Sequence, residues 1–361
     1  MIRALSALVL LLAAVTVAAT PPAAAVTVVY PPPAAPTGPR TLEIHGATDI
    51  EAMDPVIRSF QELHPDIAVT YEDLNTNELY ERFLADEAAG RPGPDLVLSS
   101  AMDLQIKLVN DGYAQPYASP EAAALPRWAT WRNEAFGFTS EPVVIVYNRE
   151  RLHESEVPQS RWDLAELLRT QPERFRGKVA TYDVRASGVG YLFVTQDSKQ
   201  SPAIWDLARE FGAVDVHLHD RSATILDAVA QGDLLIGYNL LGAYARARAD
   251  RDDRIGIVMP EDYTLVMSRT AFIPRRAGNP GPARLFLDHL LSERGQRIIA
   301  GPSHLYAIHP DVHGPTTLRA VEAAAPGPLR PIRMGPGLLV YLDASKRRLF
   351  LRQFLGTIER P

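Results

Sequence analysis

The sequence predicts an α/β protein in two domains, each built on a largely parallel sheet. Short apolar runs of strand length alternate with amphipathic segments of helix length, the signature of strand–helix–strand units. The alternation occurs as two series separated by extended chain. The chain has 361 residues, and without a leader of 25 it keeps roughly 335, more than one core usually organises. Apolar residues at 46% and charged residues at 22% fit an ordinary soluble domain. A formal charge of −6 argues against nucleic acid or anionic lipid as the main partner.

The elements follow in order. Arg3 precedes an uninterrupted apolar run from Ala4 to Ala19, then a Pro21-Pro22 break and Ala23-Ala24-Ala25. This is the layout of a secretory signal peptide over residues 1–25, cut after Ala25 or alternatively after Ala19. The run is short of the roughly 20 residues that span a bilayer. With no Cys in the chain, a lipid anchor, disulfides and thiol chemistry are all excluded. The expected location is the periplasm. Residues 26–40 carry five prolines and read as an extended tether. Leu42–Ile44 is a buried strand, and Asp49 is placed to cap a helix with Met53, Val56, Ile57 and Phe60 on one face. IAVTYED is a second strand, Asn77 onward an amphipathic helix ended by Gly90, and PDLVLSS a third strand running into a helix from Met102 to Asn110.

The second series begins with FTSEPVVIVYN as a strand with an extended lead-in. A helix from Trp162 to Arg169 follows, then KVATYD as a strand and SGVGYLFVTQD as a loop entering a helix. Helices up to Phe211 and over SATILDAVAQGD precede the buried strand LLIGYN. The chain returns as extended DDRIGIVMPEDYTLVMSRTAFIP and ends this series in a helical pair after Gly278.

In open α/β sheets ligands sit beyond the carboxyl ends of strands, where helix N-termini aim backbone N–H groups outward. Three strand ends fit that role: His45, Thr48 and Asp49; Ser99 and Ser100; and Arg185 with Ser187, Gly188, Val189 and Gly190. In the third, Arg185 adds a charge-matched fork for an anion. Tyr238 and Asn239 close a further strand. Each has a bland alternative: a helix cap for the serines, a buried core residue for His45, packing for Tyr238. No nucleophile elbow, P-loop, dinucleotide fingerprint or His-Glu-x-x-His occurs, so no catalytic residue is assigned. His217 with His219 and His309 with His313 lack a convincing third ligand, and no metal site or cofactor is assigned. Glu72-Asp73 and Asp252-Asp253 read as solvated loops, and Arg275-Arg276 as a solvated face.

Several segments resemble the periplasmic solute-binding proteins of ATP-binding-cassette importers, in the extracellular group that includes ferric-iron-binding and hexose-phosphate-binding members. They are LEIHGATDIEAMDPVIRSFQELHPDIAVTYED, GPDLVLSSAMDLQIKLVNDGYAQPY, EPVVIVYNRERL, GDLLIGYNLLGAYARA and, strongest, RTAFIPRRAGNPGPARLFLDHLLSERGQRIIA. The resemblance covers about residues 41–350. It implies a two-lobed periplasmic-binding-protein-like (type II) fold with an interlobe ligand cleft. Lobe 1 is expected over 41–142 plus 268–305 and lobe 2 over 143–267, with 306–361 packing across both. Crossings are expected near Pro142–Asn148 and Tyr263–Ile273.

Ferric-binding members of the group carry an adjacent Tyr-Tyr pair shortly after the strand that here reads LLIGYN. This chain has isolated Tyr238 and Tyr244 instead. Ferric iron needs hard phenolate or carboxylate oxygens, so the expected ligand is a small organic anion, a carboxylate or phosphate ester, and the expected partner a membrane permease. The alternatives are a ligand-sensing partner of a histidine kinase, a ferric-binding protein and a secreted hydrolase or lyase.

Overall fold

The computed structural model describes residues 25–34 and 40–359. The expected leader therefore lies outside the described residues, apart from Ala25. Among the described residues fourteen strands occur in chain order: β1 (Val26–Tyr30), β2 (Arg40–Ala47), β3 (Ile67–Asp73), β4 (Leu96–Ser99), β5 (Thr130–Trp131), β6 (Ala135–Gly137), β7 (Glu141–Asn148), β8 (Val179–Tyr182), β9 (His217–His219), β10 (Ile236–Leu241), β11 (Ile255–Val258), β12 (Thr264–Met267), β13 (Thr270–Phe272) and β14 (Leu329–Pro331). One sheet has the order β1-β3-β2-β4-β13-β6-β5 and the other β14-β12-β7-β10-β8-β9, with β11 also pairing β7. Parallel pairs β2–β3, β2–β4, β10–β8 and β8–β9 are joined by helical crossovers, as the alternation in the sequence requires.

Each sheet carries its own layer of apolar helices. In lobe 1 the face read from the sequence packs as expected: Met53, Val56, Ile57 and Phe60 are fully buried with Phe286 and Leu290. In lobe 2 Phe175, Leu207 and Phe211 cover the opposite sheet. A third apolar cluster runs between the lobes, from Phe83, Val97 and Met102 to Leu192, Leu240 and Met267. No helix among the described residues is long and apolar enough to cross a membrane.

Two readings are corrected here, the tether and the first crossing. Val26–Tyr30 is no tether: it pairs antiparallel with β3 along all five residues, from Val26 opposite Asp73 to Tyr30 opposite Val69. Its β-branched Val and Thr residues and the closing Tyr30 supplied the strand propensity, and the prolines that follow obscured it. The first crossing spans 138–140, between β6 and β7, so Pro142–Asn148 belongs to the second sheet. The second crossing is Ser268-Arg269, between β12 and β13. After the last helical pair, β14 joins β12 in parallel. The segment Pro336–Leu342 then packs on helix Met102–Asn110 of lobe 1, and helix Ala344–Ile358 packs on helix Ala203–Ala213 of lobe 2.

Candidate functional site

The strand ends of both sheets meet in one cleft. Six helices start there: Ile50–Leu63, Thr76–Ala89 and Met102–Asn110 from lobe 1, and Gly188–Gln200, Ser222–Gln231 and Gly242–Ala249 from lobe 2. Asp49, Asn75, Ser100, Ser187, Arg221 and Leu241, at or just before those N-termini, all line a central cavity of about 60 Å³. Two wider spaces share its walls. One, of about 540 Å³, reaches past Tyr244 to His304; the other, of about 630 Å³, passes Asp220 to Arg185. Each helix start leaves backbone N–H groups without intrahelical acceptors and carries a partial positive charge. Part of that demand is met locally: Ser187 Oγ accepts from Gly190 N–H and Asn75 Oδ1 from Asn77 N–H.

The lobes touch through directed hydrogen bonds. Gly188 N–H donates to Thr76 Oγ1 at 2.8 Å, and Asn77 Nδ2 donates to the Arg185 carbonyl at 3.0 Å. At the floor, the Tyr244 hydroxyl accepts from Asp49 N–H at 2.9 Å and from Arg269 Nη1 at 3.1 Å. Arg269 lies on the second crossing, and it grips Glu141 beside the first crossing with both ends of its fork, Nε to Oε1 at 2.7 Å and Nη2 to Oε2 at 3.1 Å. Both side chains are fully buried. The hinge is thus stitched by one bidentate ion pair, whose planar geometry only arginine supplies.

The cleft's electrostatics are mixed. Burial, and then the neighbouring charge of Asp49, push the Asp73 carboxyl up to about 7, with Arg221 opposing. Burial raises Asp49 as well, again against an arginine, Arg269. Arg221 Nη1 stands 3.9 Å from Asp73 Oδ1, and the buried Arg221 Nε has no hydrogen-bond partner among the described residues.

Residues 42–297 match the family of bacterial extracellular solute-binding proteins. The chain belongs to that family. The crystal structure of the substrate-binding protein of an ABC transporter from Agrobacterium tumefaciens superimposes with a TM-score of 0.89 at 39% identity, over 94% of this chain and 100% of that one. This chain is a solute-binding protein of an ABC transporter, and its relatives are transport binding proteins rather than enzymes. At the level of fold it is also similar to AfuA from Actinobacillus pleuropneumoniae, solved with fructose-6-phosphate (TM-score 0.74, 16% identity, 89% of this chain and 99% of that one). Iron-bound HitA from Pseudomonas aeruginosa gives 0.71, 17%, 88% and 99% in the same terms. No curated protein matches the sequence.

Within this solute-binding protein the residues read from the sequence divide. Asp49, Ser100, Ser187 and Val189 line the cavity. Thr48, Ser99, Gly188 and Gly190 stand just behind it: Thr48 Oγ1 accepts from Arg269, Ser99 Oγ from Ala101 N–H, and Gly190 packs on Tyr182. The expected Asp49 cap does not form, and Ile50 N–H donates instead to Asp73 Oδ2 at 3.3 Å. Four residues do not line the central cavity. His45 is buried between Glu43 and Glu72, at 3.0 and 3.2 Å. The Arg185 side chain is half exposed and folds onto Asp183 through Nε and Nη2, so its charge is already matched. Tyr238 and Asn239 sit at an irregularity of β10, between Gly237 and Leu240. Asn239 takes a left-handed φ of 61° there, and the bulge re-aims both side chains into lobe 2. Tyr238 Oη and Asn239 Nδ2 both donate to buried Asp197, which also receives Arg161 and Tyr263.

Asp73, Thr76, Arg221, Ser222 and Tyr244 were not singled out as binding residues from the sequence, yet all line the cavity. Asp73 is buried rather than solvated. The signal was available, since Glu72-Asp73 and Asp220-Arg221 follow strands and precede helices just as Ser99-Ser100 does. Among the described residues no group of three or more His, Asp or Glu side chains is placed to hold a metal ion.

Proposed function

We propose that the protein captures a small organic anion, a carboxylate or phosphate ester, between its lobes in the periplasm and delivers it to a membrane permease. The observation that carries this reading is the convergence of six helix N-termini on one cavity, with the unpartnered Arg221 Nε at its wall. Backbone donors and a guanidinium fork suit an anion that is stripped of water as the lobes close. Contacts made to both lobes at once favour the closed state, so binding is read by the permease as a change of shape. Export follows from the leader, with a cut after Ala25 leaving β1 as the first element of the mature chain. The ferric reading has little support: the Tyr238 hydroxyl is committed to Asp197 and that of Tyr244 to the hinge. Native mass spectrometry of protein recovered from its own periplasm weighs the retained solute. Arg221→Ala should weaken that solute by about 2–5 kcal/mol, and an unchanged affinity refutes the assignment.

A further inference from the structure

The cavity holds opposite charges that the protein itself does not satisfy. Asp73 is 7% exposed; its Oδ2 accepts from Ile50 N–H, and its Oδ1 has no hydrogen-bond donor among the described residues. The nearest cation is Arg221, whose Nη1 at 3.9 Å is beyond hydrogen-bonding reach and whose buried Nε is itself unpartnered. Asp49 adds a second carboxylate to the same wall, and its side chain makes no capping bond. Asp220 adds a third, bound only weakly by Asn75 Nδ2 at 3.4 Å. Three carboxylates therefore face one guanidinium, while the second nearby arginine, Arg269, is spent on Glu141. A purely anionic solute would satisfy Arg221 and the helix N-termini and leave the buried Asp73 carboxylate with no donor for its Oδ1, a costly state for a desolvated charge.

Resting on the anion reading above, we infer that the solute is a small zwitterion: an acid group held by Arg221 and the helix N-termini, and an ammonium group held by Asp73 with Asp49. The proximity of Arg221 to Asp73 sets the two charges of the solute a few carbon atoms apart. The ammonium group donates to Asp73 Oδ1 and gives that carboxylate the close partner it lacks.

The test uses two matched pairs of probes on the mature full-length protein: β-alanine against propionate, and 3-aminopropylphosphonate against propylphosphonate. Calorimetry should show at least one amino probe binding about 30-fold or more tightly than its desamino partner. In Asp73→Asn, whose amide oxygen can still accept from Ile50 N–H, that preference should fall to about one. Asp49→Asn serves as the second variant, and far-ultraviolet circular dichroism checks that both fold. Equal binding of amino and desamino probes, or no binding of either amino probe, overturns the zwitterion. A preference that survives in both variants also overturns it. The anion reading fails separately, when Arg221→Ala leaves the affinity for the acid probes unchanged.

Discussion

At Gly188 the two lobes approach closely, and adding one methyl group there should act on closure alone. A Cβ at this position would lie 2.8 Å from Leu104 Cδ1, 2.9 Å from Asn77 Oδ1 and 3.1 Å from Thr76 Oγ1. All three neighbours belong to lobe 1, whereas Gly188 opens a helix of lobe 2, so an open protein does not feel the clash. They are side-chain ends rather than backbone, which places the cost toward the lower part of the about 1–3 kcal/mol typical of overpacking. The Gly188 N–H to Thr76 bond adds about 0.5–1.5 kcal/mol if it is lost. A closed state disfavoured by about 1–2 kcal/mol lowers solute affinity by about 5- to 30-fold. Fold stability should move the other way, because alanine is favoured over glycine in a helix by up to about 1 kcal/mol. Calorimetric titration with the solute identified by native mass spectrometry, beside thermal melting of the ligand-free protein, reads both quantities. Small-angle scattering should give a larger radius of gyration for the variant at equal solute. Unchanged affinity with a lowered melting temperature refutes the reasoning, since it places the clash within one lobe.

Other outcomes follow from the same geometry. Arg185→Ala should change solute affinity by no more than about 1 kcal/mol, because Arg185 is paired with Asp183 at an exposed position; a 30-fold loss in titration would return Arg185 to the site. Glu141→Gln strands the buried Arg269 and should cost about 3–5 kcal/mol of stability, read by chemical denaturation, with a shallow change contradicting the hinge assignment. Asp103 is fully buried, and burial pushes its carboxyl up to about 7, opposed by its own helix N–H groups. Between the unfolded value near 4 and about 7 the folded protein holds the proton more tightly, so this residue's contribution to stability falls as pH rises through that window. Asp103→Asn should therefore melt higher than the parent at pH 8, with the gap closing toward pH 4, and a gap independent of pH would contradict the titration. Tyr244→Phe should weaken solute binding without changing ligand-free melting by more than a few degrees, since its hydroxyl joins Asp49 N–H of the other lobe to Arg269.

The layered architecture was legible because strand-length apolar runs and amphipathic helices follow from local periodicity, and most of the lobe 1 elements fall where the pattern puts them. The site was legible only in part. Helix starts after strand ends pointed to Ser100, Ser187 and Val189, which line the cavity, but whether a polar residue faces solvent or cleft is decided by the opposing lobe. Glu72-Asp73 looks solvated in sequence, and Asp73 is buried only because β1 covers one side of β3 while the helix starting at Ile50 closes over its carboxylate. Arg185 is paired locally, with Asp183 two residues earlier holding its guanidinium, a contact that its place after a strand end does not reveal. Tyr238 and Asn239 misled because a β-bulge breaks the alternation on which inside–outside reasoning depends. The ion pair between Glu141 and Arg269 joins residues 128 apart in sequence, a separation over which no local pattern carries information.

The segment after β14 ties the two lobes together again, beside the two strand crossings and the return from the last helical pair to β14. Pro336–Leu342 rests on a lobe 1 helix and Ala344–Ile358 on a lobe 2 helix, with Tyr191 Oη of lobe 2 bound to the Tyr341 carbonyl at 2.7 Å. Two bodies joined only by a pair of adjacent strands can swing and twist widely, whereas a leash anchored on both limits the sweep to what its contacts can stretch. A narrower set of open arrangements has less disorder to surrender when the lobes shut on a solute. Affinity is then adjustable from the far C-terminus: changes that loosen the grip of the last helix on lobe 2 would weaken capture without touching any residue in the cleft.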